Sequence, residues 1–441
     1  MAVLEQTAPR NFGFDLLAWT IRAGLRPLQG LIAAPPLVFM AVMGLMLFHP
    51  PDFRFPPYDR IAFLVLVFVV LLRACVLRKT VSFGGPVTWP MLGLLLLALW
   101  GVLAQPYDAE TWSMFAAKWF LPFALFHLAG CVFEDSSSLR QFEVFSLVVL
   151  GYLSLIAILF LIGAKQFIFP RYILDEGLGI HADRARGPFL QAVANGVALN
   201  LLGLVALDSF RRRCLRGLLA PLLLAGLPLA IVATRTRAVW LSFAASILAL
   251  LFFTPSRRLR RGCLAIVLAG ATGLVALVTL GDGHRSLSER LEESGPVKFR
   301  MAVYEAGWEM FLKKPLNGWG AQKMQAELSN RISEFRQEEY YFHNTYLEIL
   351  VQYGLVGLAL YVWVVADLFR IGRKPRKHAL ENDGNFLDEQ FRSLWPVILM
   401  VYVVNSLFVV MNYQFVNGYL FTLAGMLSAQ NRTLGEANAV S

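Results

Sequence analysis

YFHNTYLEILVQYGLVG, residues 341–357, is the stretch at which a long hydrophilic segment gives way to an apolar one. The imidazole of His343 stands at the junction and is followed directly by Asn344. A titratable side chain is costly inside lipid but tolerated at the membrane edge, where such residues commonly serve a substrate or a proton. The stretch therefore predicts a membrane helix that begins beside a functional site.

The composition of the whole chain is that of a membrane protein. Apolar residues make up 57% of the 441, charged residues 16%, and the mean hydropathy is +0.56. A soluble domain has roughly 45–50% apolar and about 25% charged residues. We predict an all-α polytopic membrane protein with about 12 transmembrane helices and a long helical periplasmic loop between the ninth and tenth spans. The predicted spans are 31–48, 61–77, 86–104, 112–133, 141–163, 189–208, 217–233, 238–254, 263–280, 346–369, 394–411 and 414–430.

These spans divide the chain into four predicted parts. Residues 1–280 hold the N-terminal transmembrane helices, 281–342 the periplasmic loop or cap, 343–430 the C-terminal transmembrane helices, and 431–441 a cytoplasmic tail. Within the loop, the spacing of apolar residues predicts one helix over 299–313 and another over about 321–337, with a turn at 317–320 between them. The two helices are expected to form a cap that closes a cleft or only covers short helices.

Basic residues occur in alternate loops, which sets the predicted orientation. By the positive-inside rule these loops and both chain termini are cytoplasmic. The clusters are Arg22 and Arg26; Arg78 and Lys79; Arg211, Arg212, Arg213 and Arg216; Arg257, Arg258, Arg260 and Arg261; and Arg370, Arg373, Lys374, Arg376 and Lys377. The net charge of +10 follows mostly from them. Because they lack interleaved aromatic residues, no nucleic-acid partner is expected.

Four arginines lie on the opposite, outer face, against this charge preference. Arg184 and Arg186 belong to the 164–188 loop, and Arg235 and Arg237 to the short turn at 234–237. A guanidinium group grips phosphate through two parallel hydrogen bonds, so two converging arginine turns suit a lipid-linked diphosphate. Alternatively, these arginines extend to the phosphates of membrane lipids or pair with nearby carboxylates. The sequence leaves both interpretations open.

The other polar residues give weaker indications of a functional site. Lys118 is expected about 9 Å inside its span, at about 1.5 Å per residue, and either lines a donor groove or extends to the interface. No Asp-x-Asp pair occurs on the predicted outer face, and no His/Cys cluster has ligand spacing, so neither a metal nor a cofactor is expected. His343 itself could simply belong to the aromatic belt formed by its neighbours.

Four ordered blocks resemble those of the bacterial O-antigen ligases and related polysaccharide polymerases. They are RARGPF at 184–189, TRAVW at 236–240, the segment from Arg300 to PLNGWG at 315–320, and the His343-Asn344 stretch with Leu347, Gly354 and Gly357. The resemblance spans about 180–360 by motif, and all four blocks fall on the predicted outer face.

The resemblance implies a glycosyltransferase of the bacterial inner membrane. Such an enzyme takes a glycan from an undecaprenyl-diphosphate-linked donor at the periplasmic face and transfers it, with inversion, to a hydroxyl of lipid A-core. It uses no metal and no nucleotide sugar. His343 would be the general base. Arg184 and Arg237 are the best matches to the family's diphosphate-binding arginines, Arg186 and Arg235 are neighbours in an alternative register, and Asn344 and Tyr346 would orient His343 or contact sugar.

Alternatives remain both within this family and outside it. A polymerase of the same family would transfer to another lipid-linked repeat, and a further branch glycosylates protein. A lipid-linked glycan flippase or transporter would have charged or broken helices near the bilayer midplane and internal repeats. Mid-span charges are few here and no repeat is evident, which favours an enzyme over a transporter.

Overall fold

The protein is helical throughout the part of the chain that the structure describes, which confirms the predicted all-α class. The structure is a computed structural model that describes residues 34–50, 56–77, 85–280, 295–332, 341–373 and 385–440. Helices account for 78% of it, and no strand occurs among these residues. The predicted basic clusters at 22–26, 78–79 and 374–377, and loop residues 281–294 and 333–340, lie outside the described residues.

Fourteen helices, numbered in chain order, make up the described fold. Those that precede the hydrophilic segment are α1 Pro35–Leu47, α2 Tyr58–Leu77, α3 Thr88–Leu103, α4 Ala109–Val132, α5 Ser136–Leu161, α6 Ala192–Arg211, α7 Leu219–Ala233, α8 Arg237–Phe253 and α9 Arg257–Leu280. The segment itself contributes α10 Gly295–Lys313 and α11 Ala321–Arg331. The last three are α12 Thr345–Ile371, α13 Glu389–Asn405 and α14 Gln414–Val440. Short 3-10 turns at Lys165–Phe167, Arg171–Leu174 and Gly187–Phe189 shape the loop before α6.

Side-chain caps explain where several helices begin. The Asp135 carboxylate accepts from Ser138 N, and Ser138 Oγ accepts from Asp135 N, which makes a complete capping box at the start of α5. Asp108, Asn344 and Asp388 cap α4, α12 and α13 with their side-chain oxygens. Each satisfies backbone N–H groups that have no acceptor within the helix.

Among the described residues, four helices are long and apolar enough to cross a membrane: α4, α5, α6 and α12. Four shorter apolar helices are α1, α3, α7 and α8. Every predicted span overlaps a helix, although the count of 12 spans stays a prediction. Several boundaries differ by five residues or more: α5 begins at Ser136 rather than 141, α9 at Arg257 rather than 263 and α13 at Glu389 rather than 394. At the other ends, α13 stops at Asn405 rather than near 411, and α14 continues through the predicted tail to Val440. The cap helix predicted over 321–337 ends at Arg331.

α6 is the central helix of the bundle, and 89% of its apolar window is buried. It packs against α5, α7, α8, α9 and α13. At its end distant from Ala192, Arg212 lies 2.6 Å from Glu143 Oε1 and 2.7 Å from Asp208 Oδ2. Arg211 bridges Asp208 and Asp388, each at 2.6 Å. Two arginines counted in the positive-inside pattern therefore neutralise buried carboxylates and tie α5, α6 and α13 together.

α12 is broken at Gly354, and the turn at 315–320 is bonded to the break. Gly354 has φ +67° and ψ −164°, a conformation essentially restricted to glycine. Its neighbours cannot complete the helical ladder, and the turn replaces the missing partners. Trp319 N donates to Val351 O at 3.0 Å, Gly320 N to Gln352 O at 2.9 Å, and Leu355 N to Pro315 O at 2.8 Å. The PLNGWG block thus fastens α10 and α11 onto α12.

Candidate active site

His343 is held in a fixed position at the start of α12. The Asn344 side-chain oxygen accepts from Tyr346 N at 3.0 Å and from Leu347 N at 3.1 Å. Thr345 N donates to Ser406 O at 2.8 Å, and Thr345 Oγ1 donates to Val409 O at 2.8 Å. His343 itself has φ +49°, which is uncommon for a residue with a Cβ and is maintained by these contacts.

The surroundings of His343 keep its imidazole neutral. Burial, together with the nearby charges of Arg300 and His181, lowers the pKa of His343 to about 4. The Phe299 ring meets the imidazole edge-on, with ring centres 6.5 Å apart. Three distant segments therefore meet here: the loop before α6, the start of α10 and the start of α12. At neutral pH the imidazole can accept a proton.

The two predicted arginine turns converge. Ala185 N donates to Ala233 O at 3.1 Å, so the 181–186 segment lies against the end of α7, next to the turn that carries Arg235 and Arg237. Arg235 is half-buried with φ +48°, and Arg237 is exposed as the first residue of α8. Neither guanidinium group makes a hydrogen bond or ion pair with another described residue, although the backbone N–H of Arg235 donates to Val232 O at 3.0 Å. Both guanidinium groups can therefore turn to an anion.

The two arginines of the earlier block differ from each other. Arg186 is buried, and its Nε donates to Ile173 O at 2.9 Å while its two terminal nitrogens donate to the carbonyls of Leu178 and Asp175. These bonds use its donors to shape the loop. Arg184 is partly exposed, and its Nε lies 3.9 Å from Asp183 Oδ1. The geometry favours Arg184 over Arg186 as a ligand-binding side chain.

Asn344 and Tyr346 contact backbone groups. Asn344 is the helix cap described above, and Tyr346 Oη donates to Val403 O at 3.1 Å, which joins α12 to α13. Both therefore fix the start of the helix that follows His343. This arrangement agrees with the orienting role that the resemblance implies for them, rather than with the sugar contact.

The sequence did not decide the role of Lys118 and did not reveal that it pairs with Glu348. Lys118 lies in a π-helical turn, Ala116–Phe120, within α4, and its Nζ is 3.0 Å from Glu348 Oε2. Such turns are frequent at functional sites. Arg300 and His181 were also missed as neighbours of His343. No sequence signal joins residues this far apart in the chain, although Arg300 already stood in one of the four blocks.

No group of three or more His, Cys, Asp or Glu side chains is placed to hold a metal ion in the described ranges. The candidate site is built instead from an imidazole, guanidinium groups and backbone turns.

A comparison with protein families assigns the segment that contains most of this site. Residues 220–362 match the family model described as O-antigen ligase. This segment belongs to the O-antigen ligase family. The match covers about a third of the chain and includes Arg235, Arg237, Arg300 and His343, while Arg184 lies outside it. A comparison with curated proteins finds no match.

The O-antigen ligase match confirms the resemblance to this family, and it includes three of the four blocks. Members of the family are glycosyltransferase-like enzymes with lipid-linked glycan and acceptor substrates. The match and the membrane-length helices together indicate a bacterial membrane protein.

Proposed function

We propose that this protein is an O-antigen ligase-like glycosyltransferase of the bacterial inner membrane. It transfers a polysaccharide from undecaprenyl diphosphate to a hydroxyl group of lipid A-core at the periplasmic face, with inversion and without a metal ion. Both termini are cytoplasmic in this proposal.

One observation carries the proposal: a neutral imidazole next to cationic groups, inside a segment of the O-antigen ligase family. His343 is half-buried beside Arg300, and the family match includes both. A general base and a site for a departing anion are the two requirements of glycosyl transfer from a lipid diphosphate to a hydroxyl group.

The reaction follows from these groups. An imidazole nitrogen of His343 takes the proton of the acceptor hydroxyl as that oxygen attacks the anomeric carbon. The bond between the anomeric carbon and the diphosphate oxygen breaks on the opposite side, and its electron pair leaves with undecaprenyl diphosphate. Attack opposite to the leaving group inverts the configuration at the anomeric carbon.

The arginines hold the leaving group in this mechanism. Arg184, Arg235 and Arg237 come from the two turns that the Ala185–Ala233 hydrogen bond joins. Fixed cations at the site where charge develops lower the barrier because they need no reorganisation during the reaction. Arg186 shapes the loop that presents Arg184. Asn344 and Tyr346 fix the position of His343.

A transporter is the candidate from another class, and the break in α12 is the observation in its favour. Broken helices bind substrates and ions in many transporters. Here, however, the backbone groups next to Gly354 bond to the turn at 315–320. The break therefore serves the attachment of the cap, which favours the enzyme.

The test is transfer by purified protein from an undecaprenyl-diphosphate-linked glycan to lipid A-core or to a second lipid-linked repeat. We expect one addition to lipid A-core, reduced at least about 100-fold by His343→Gln, because general bases contribute about 10²–10⁴-fold. Arg237→Gln should also abolish transfer. His127→Gln, which changes a histidine within α4, is the matched control and should retain activity.

Other outcomes would change the assignment. A ladder of products on the lipid-linked repeat would indicate a polymerase. Full activity of His343→Gln would refute its role as the base. Movement of the donor lipid across vesicles without any transfer would indicate a transporter.

A further inference from the structure

A cavity of about 430 Å³ lies beneath the cap, next to the segment that carries His343. Its walls come from the start of α4, from α11, from the start of α12 and from the turn before α14. Tyr341 and Glu348, which flank His343 in the chain, both line it. Small-molecule sites commonly have volumes of about 300–1,000 Å³, so the cavity is large enough for a ligand.

The charges that line this cavity disfavour a diphosphate. Asp108, Glu110 and Glu348 line it together with a single cation, Lys118, and no arginine or histidine is among the described lining residues. Hydrogen bonds from Thr111 hold the pKa of Asp108 below its usual range, so this carboxylate is ionised at neutral pH. The cavity is net negative, whereas the surroundings of His343 are positive. An anionic group is therefore repelled by the cavity and attracted to the surroundings of His343.

Two side chains on one face of α12 offer hydrogen bonds to the cavity. Lys118 Nζ donates a hydrogen bond to Glu348 Oε2 at 3.0 Å, while Glu348 Oε1 makes no hydrogen bond to a described residue. Gln352, four residues later, is 8% exposed, and its carboxamide also has no hydrogen-bond partner among the described residues. Both side chains line the cavity, and no other described residue uses these polar atoms, so both are available to hydrogen-bond a ligand.

The remaining walls suit the faces of a sugar ring. Met114, Phe115, Trp119 and Tyr353 supply apolar and aromatic surface. A sugar has hydroxyl donors and acceptors around its rim and C–H groups on its faces. An apolar pocket with a few placed polar groups has the complementary arrangement.

We propose that this cavity binds a neutral sugar unit of one of the two glycan substrates, and that Glu348 and Gln352 bind its hydroxyl groups. The assignment to a glycan substrate rests on the proposed function. Lys118 positions Glu348 and prevents a second carboxylate orientation. The sugar lies next to the segment that carries His343, and the diphosphate lies on the arginine side, so the charge of the two regions separates the sugar site from the diphosphate site.

The first experiment measures sugar binding without any transfer. Saturation-transfer NMR of the purified protein with methyl glucoside, a neutral sugar, reports the dissociation constant directly. We expect Gln352→Leu, which is uncharged and similar in volume, to weaken binding about ten-fold or more, because it leaves the sugar hydroxyl without its partner. Inorganic phosphate should not displace the sugar.

Two further variants complete the sugar-binding experiment. Lys118→Met combined with Glu348→Gln removes the ion pair without leaving a lone buried charge, and should weaken binding as Gln352→Leu does. Glu327→Gln breaks an ion pair with Arg331 on the same cap helix but outside the cavity lining, so it should bind normally. Absence of binding, displacement by phosphate, or equal affinity in Gln352→Leu would overturn the proposal.

The second experiment identifies which glycan supplies the sugar. Michaelis constants of Gln352→Leu are measured separately for the lipid-linked donor and for the acceptor. We expect the constant for one substrate to rise about ten-fold while kcat changes little, and that substrate carries the bound sugar. Two unchanged constants in an active enzyme would overturn the sugar site. Gln352-dependent sugar binding in a protein that transfers nothing would instead refute the proposed function and leave the site standing.

Discussion

Gly354→Ala tests the attachment of the cap to α12 most directly. An alanine Cβ at this position would overlap the Leu316 carbonyl and lie 2.7 Å from Asn317 N, well inside ordinary contact. The backbone conformation costs a residue with a Cβ about 1–3 kcal/mol. The steric overlap adds about 1–3 kcal/mol. The variant should therefore lose about 2–6 kcal/mol of a total stability of about 5–15 kcal/mol.

A thiol-reactive dye measures this loss in detergent. All four cysteines are free, and Cys263 is fully buried, so its reaction reports unfolding. With an unfolding entropy of about 2 cal/mol/K per residue, the loss lowers the apparent unfolding temperature by about 2–6 °C. Transfer should fall as well, because the turn holds the cap above the cavity.

Gly44→Ala is the matched control for this substitution. Gly44 also lies in an apolar helix, and no atom lies within 4 Å of the place that a Cβ would take there. Alanine at this position should be neutral or slightly stabilising, since alanine favours a helix over glycine by about 1 kcal/mol. Equal unfolding temperatures and equal activity in the two variants would refute the argument that the turn and the break depend on each other.

Two other predictions follow from buried charge. The acid limb of kcat/KM against pH should lie near pH 4 rather than 6.5, because burial and Arg300 lower the pKa of His343 and the free imidazole is the active form. Arg300→Gln removes a positive charge and should therefore move that limb to higher pH. An unchanged limb would refute the effect of Arg300 on the pKa of His343. Arg212→Gln leaves Glu143 and Asp208 as buried carboxylates without their shared partner, so the free energy of unfolding should fall by about 3–5 kcal/mol. The dye assay measures this, and an unchanged unfolding temperature would contradict the prediction.

The helical class and the position of His343 could be predicted from the chain alone. Long apolar runs must form helices in lipid, because every backbone polar group needs a partner within its own segment. Polar caps such as Asp135 and Asn344 then mark where helices begin, through hydrogen bonds that span only three residues. These are local effects, and local effects are visible in a sequence.

Tertiary contacts decided the remaining features of the site. The sequence favoured Arg184 and Arg237 without excluding Arg186 and Arg235, and only the fold shows that Arg186 uses its donors on loop carbonyls. Likewise, Lys118 and Glu348 are 230 residues apart and carry no mutual signal in the chain. Their pairing depends on how α4 packs beside α12, and so does the charge of the cavity. The physical reason is that the partner of a buried charge is set by packing between helices, whereas the tendency to form each helix is set within it.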